Sequence, residues 1–216
     1  MPLAQRQNAE DVWGEPFQDS DSIPTPRSGG WGMLDRFIGP GATPAELWLQ
    51  FLPAAIAAIA APLYALALPH AWTPLQLGLI ALLGFDCIGG VLTNATATAK
   101  RWYHRPGQGW RQHLTFVSIH IIHIGLVALL FRGGDWGFFV LVSGYLLMAA
   151  IAILRSPFYL KRPVALGLYG LAFLGDRYLL SPALGLEWFV PFLMLKLLVS
   201  HLLAEVPSRP EAPEQG

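Results

Sequence analysis

Charge is scarce in this sequence. Asp, Glu, Lys and Arg make up 13% of its 216 residues, against about a quarter in soluble globular domains. With 54% hydrophobic residues beside it, that deficit excludes an ordinary soluble fold. Net charge is also absent, the 14 basic residues cancelling the 14 acidic ones. A nucleic-acid partner is therefore not expected, because such binding rests on phosphate neutralisation by clustered Lys and Arg. Cysteine is reduced to Cys87, which excludes an intramolecular disulfide and a cysteine-based zinc site. No basic stretch followed by a short apolar core opens the chain, so no cleavable signal peptide is expected. Several motifs of membrane enzymes are missing too: paired acidic repeats of the prenyl-transfer type, dense histidine boxes, a His-Glu-x-x-His pair and a Ser-Gly-His segment.

What remains is apolar sequence in long blocks. A helix needs about 20 apolar residues to cross a bilayer, and six blocks qualify, roughly 45–68, 75–99, 112–131, 136–154, 163–180 and 184–204. The expected fold is all-α, a polytopic membrane helix bundle of about six transmembrane helices spanning residues 43–205. Residues 1–42 read as a flexible soluble arm and 206–216 as a short disordered tail, both rich in Pro, Gly and polar residues. Thr43-Pro44-Ala45-Glu46 and Thr73-Pro74 place a hydroxyl at N-cap and proline at N1, so they start the first two spans.

Basic residues collect in cytoplasmic loops. Lys100, Arg101, Arg105 and Arg111 lie between spans two and three, and Arg155, Lys161 and Arg162 between four and five. Both termini are then cytoplasmic, and the expected location is a bacterial inner (plasma) membrane. Trp48, Trp102, Tyr103, Trp110 and Tyr159 fall at one interface and Trp72, Trp136 and Trp188 at the other, as amphipathic rings should.

The chemistry concentrates in spans two and three. At about 100° per residue, Asp86, Gly89, Gly90, Thr93, Asn94 and Ala97 share one side of span two, and His113, His120 and His123 share an arc of about 80° on span three. In an antiparallel hairpin centred near residue 104 or 105, Asp86 comes level with His123. A charged Asp at the centre of a bilayer costs roughly 2.5–3.5 kcal/mol, so it must be paired, hydrated or protonated. Asp86, His120 and His123 are accordingly the candidate catalytic residues, as acid/base groups or as ligands of one divalent metal, zinc or iron, whose shells accept mixed nitrogen and oxygen donors. The competing reading is a structural Asp–His pair that holds two helices together. Haem would need two histidines at one depth, with His201 and His113 or His120 as the candidates.

Lys100, Arg101 and Arg105, with His113 and Asn94, are candidate substrate-binding residues, the basic cluster suiting an anionic lipid headgroup or small-molecule ligand. Lys196, deep in span six, requires a charge partner. Asp86 is the best candidate by depth, with Asp176 second, and an Asp86–Lys196 pair would compete with a metal for the same carboxylate. Three functional classes follow: an enzyme acting on a lipid or apolar substrate, a small proton- or cation-coupled transporter, and a non-catalytic subunit or assembly factor. In the last, the acidic arm, with Glu10, Asp11, Glu15, Asp19 and Asp21, would recruit a protein partner. Beyond these the expected partner is the lipid bilayer.

Overall fold

A computed structural model describes residues 23–204, and everything described is helix, turn or loop, with no strand among the described residues. The helices are α1 (Gly29–Ile38), α2 (Pro44–Leu66), α3 (Pro74–Ala95), α4 (Ala97–Tyr103), α5 (Trp110–Ile119), α6 (Ile121–Leu130), α7 (Trp136–Arg155), α8 (Phe158–Tyr178) and α9 (Phe189–Met194). The last continues as a π-helical segment, Leu195–His201.

Local chemistry explains most boundaries. Thr43 and Glu46 close a reciprocal cap at the start of α2, and Thr73 and Gln76 do the same for α3. Each pair satisfies amides that have no partner inside the helix. Two of these caps also reach across the fold. Glu46 accepts from the backbone N–H and hydroxyl of Thr98 at the start of α4, and Gln76 donates to the Leu130 carbonyl at the end of α6, 2.9 Å away. Asp135 caps α7 through the Phe138 amide and pairs with Arg132 at 2.8 Å.

Four helical stretches are long and apolar enough to cross a membrane: Pro44–Leu66, Pro74–Ala95, Trp110–Leu130 and Trp136–Arg155. The other two expected spans differ in form. α8 has 21 residues but carries Lys161, Arg162, Asp176 and Arg177 near its ends, which shortens its apolar stretch. The last helix begins at Phe189 rather than near residue 184, because Pro182 and Gly185, the latter at φ 76°, bend residues 181–188 into turns. The Gly185 backbone also lies against the Trp72 ring, where a Cβ would come within 3.0 Å. The second span ends at Ala95, not 99. Thr96 adopts extended geometry there, accepts the Ala99 amide and restarts the chain as α4.

The expected arm is only partly covered, residues 1–22 lying outside the described residues together with the tail from 205 onward. Where it is described, residues 29–38 form α1, which docks on α4. Trp102 Nε1 donates to the Arg36 carbonyl at 2.9 Å and the Tyr103 hydroxyl to that of Phe37 at 2.7 Å. Arg27 grips Asp35 through both carboxylate oxygens, and those hydrogen bonds pull the Asp35 carboxyl down to about 2. Trp102 and Tyr103 thus hold a helix that composition alone does not announce.

The centre of the bundle is the C-terminal helix. Leu193, Met194, Lys196, Leu197, Leu198, His201 and Leu202 are all buried, and this helix packs against α3, α7 and α8. α3 lies between it and α2, with Gly84 and Gly89 closing on Ala57, Ala61 and Ala54 of α2. Small residues allow such close approach where lipid removes the hydrophobic drive between helices.

Candidate functional site

Asp86 projects from the middle of α3, and Lys196 Nζ lies 2.7 Å from its Oδ2. Gly90, one turn along α3, makes the room: a Cβ there would sit 2.3 Å from Lys196 Cε, so the lysine stem crosses bare backbone. The His123 Nε2 atom stands 3.6 Å from the same Oδ2. The partners are unequally enclosed, the Lys196 side chain being 3% exposed, Asp86 28% and His123 25%. Phe85 and Ile122, next to Asp86 and His123 in sequence, are exposed as well.

His120 sits where the third span breaks. Its backbone N–H goes to the Val117 carbonyl, three residues back, and its ring Nδ1, 2.7 Å from the Phe116 carbonyl, takes the place that the N–H gave up. A carbonyl only accepts, so the proton is on Nδ1. The ring then stacks on His123, centroids 5.2 Å apart. His123 Nδ1 is buried with no hydrogen-bond partner. Among the described residues, no three His, Cys, Asp or Glu side chains are arranged to hold a metal ion. Asp86, His120 and His123 are neighbours, but the nearest cation to the carboxylate is the lysine ammonium.

A second polar group lies toward the α4–α5 turn. The Asn94 amide donates to the Gly90 carbonyl at 2.8 Å, which turns its oxygen toward His201 Nδ1, 2.9 Å away. His201 therefore donates through Nδ1, and its Nε2 is left to accept from His113 Nδ1 at 3.2 Å. His104 stacks on His113, centroids 4.5 Å apart, and donates through Nε2 to the His201 carbonyl at 2.9 Å. Burial first, then the nearby His113 and Lys100, hold the His104 imidazole down at about 3. Phe116 stacks on His201, centroids 3.9 Å apart, and meets His120 at a tilt, centroids 4.8 Å apart. Five of the six histidines thus form one file from the α4–α5 turn to Asp86, with Phe116 between its two halves.

The remaining candidates are spread. Lys100 is buried, and its ammonium donates to the carbonyls of Ser200 and Leu203, so it closes the end of the π segment. Arg105 lies 3.6 Å over the Trp102 ring and donates to the Trp102 carbonyl. Arg101 is half-buried on α4. His113 belongs with His201 and His104 rather than with His120. Spacing left His104 out of the site altogether, and brought in His201 only as a haem-ligand candidate beside His113 or His120. Fold and polar interior together define a multi-pass helical membrane protein. No protein family, curated protein or solved structure matches this chain.

Proposed function

We propose that this chain is a membrane-embedded enzyme in which Asp86 and His123 perform acid–base chemistry on a lipid or other apolar substrate entering from the flank of the bundle. α8, and the segment 181–204 in which turns precede the shorter Phe189–His201 helix, complete six crossings, with both termini and the basic loops on the cytoplasmic face of a bacterial inner (plasma) membrane. The observation that carries the reading is the partial exposure of Asp86 and His123 beside a fully enclosed Lys196. A pair serving only to join helices gains by enclosing both partners, whereas this carboxylate keeps one side open. Lys196 fixes the Asp86 carboxylate through the 2.7 Å ion pair, and the imidazole of His123 is the group placed to exchange a proton with a bound molecule. This reading uses the side chains as they stand, without the shared metal that sequence spacing suggests.

The polar file is one-sided, and that favours an enzyme over a proton- or cation-coupled transporter. Between Gln76 and Asp86, α3 contains only apolar residues and glycine. The core around that half is Ile80, Leu83, Ile124, Val127, Phe189 and Leu193. A transport route needs polar groups through both halves, whereas a reaction site needs proton access from one.

The test is untargeted lipid mass spectrometry on membranes containing equal amounts of folded wild type, Asp86→Asn or His123→Ala. The expected result is a lipid species that changes with wild type and is unchanged with either variant. Identical lipid profiles for all three would overturn the reading, as would Asp86-dependent proton flux in proteoliposomes.

A further inference from the structure

We propose that the cleft between α5 and α7, at the basic end of the bundle, holds an anionic phospholipid of the surrounding bilayer. It is a separate site and does not depend on the chemistry at Asp86. Two grooves meet there at a common ridge of Trp110 and Leu114. One, of about 370 Å³ and between α5 and α7, is completed by Ile151, Leu154 and Arg155; the other, of about 540 Å³, is a shallow groove along the outer face of α5 alone, completed by Arg111, Thr115, Ser118 and Ile119. Two apolar grooves on either side of one ridge suit a ligand with two acyl chains.

The polar end of that ligand is set by charge. Trp110, the first residue of α5, is 59% exposed, as expected of an indole at headgroup depth. The Arg111 guanidinium lies 5.3 Å from its ring centroid, and Arg155 ends α7 at the same level. Among the described residues neither arginine is paired with a carboxylate. The sequence also holds no Asp or Glu from 87 to 134 or from 136 to 175. Two cations over an apolar double groove, with no carboxylate paired to either among the described residues, select a phosphodiester with net negative charge over a zwitterionic headgroup.

The full chain in detergent is incubated with phosphatidylglycerol or phosphatidylcholine of identical acyl chains, and retained lipid is counted by native mass spectrometry. Wild type is expected to retain phosphatidylglycerol preferentially. Arg111→Gln/Arg155→Gln is expected to lower that retention roughly tenfold or more, while Arg162→Gln leaves it unchanged. Equal retention of the two lipids by wild type, or an equal loss in Arg162→Gln, overturns the proposal. Photoactivatable phosphatidylglycerol on unaltered protein is the second measurement. Crosslinks in 110–119 and 151–155 support the site, and crosslinks confined to other segments overturn it.

Discussion

Lys196 and Asp86 form an ion pair of 2.7 Å in which the lysine, not the acid, is the enclosed partner. This asymmetry predicts unequal variants. Removing one member of a buried pair costs about 3–5 kcal/mol because the other charge is stranded. Asp86→Asn strands the buried ammonium and should approach that cost. Lys196→Met leaves a carboxylate that is already partly exposed and should cost less. The double variant should recover much of the loss. Unfolding of the purified protein in detergent, run as a double-mutant cycle, checks the order.

Gly90 gives a sharper handle on the same pair. A methyl at this position overlaps the Lys196 stem, whereas at Gly78, on the same helix, nothing lies within 4 Å. Gly90→Ala should therefore displace the ammonium from Asp86 at a cost of about 1–3 kcal/mol, and Gly78→Ala should be neutral or mildly stabilising. Thermal stability of the two variants measured together decides it.

His104 predicts an acid-sensitive turn. Burial holds its imidazole neutral, down at about 3 against an ordinary 6.5. A depressed histidine contributes stability that is fully present above about pH 6.5 and is lost progressively as pH falls toward 3. His104→Gln keeps an N–H for the His201 carbonyl but does not titrate. Between about pH 7.5 and 5, wild type should lose up to about 2 kcal/mol more than the variant. Parallel unfolding curves at the two pH values would contradict this.

Lys100 predicts a local rather than a global effect. Hydrogen bonds from a charged donor contribute about 1.5–3 kcal/mol, and this ammonium serves two carbonyls at the end of the C-terminal helix. Lys100→Met should speed amide hydrogen exchange over residues 196–203 while leaving α2 and α7 unchanged. Uniform acceleration across the chain would assign Lys100 a wider role.

Much of the frame was legible without coordinates. The caps at Thr43 and Thr73 are short-range chemistry, and apolar block length limits which segments can cross a bilayer. Helical arithmetic brought Asp86 level with His123 and named Lys196 as a partner, and both contacts are present. The inward turn of Lys100 was not legible, because a basic loop residue is drawn inside only when a distant helix end offers it carbonyls. Nor was α1, whose seat depends on Trp102 and Tyr103 reaching 66 residues back along the chain.

What the sequence by itself determined is an all-helical membrane chain with an acid, a base and histidines at matched depths. The tertiary structure decided which histidines join them. On a regular helix Lys196 and His201, five residues apart, point about 140° away from each other. In the Leu195–His201 segment the turn widens, the Leu202 amide bonds the Leu197 carbonyl five residues back, and residues five apart come much closer to a common face. Both side chains therefore face α3, Lys196 at Asp86 and His201 at Asn94. A period assumed uniform along the helix hides that alignment, and the residues that meet the segment, Asp86 and Asn94 of α3 and Lys100 of α4, come from distant parts of the chain.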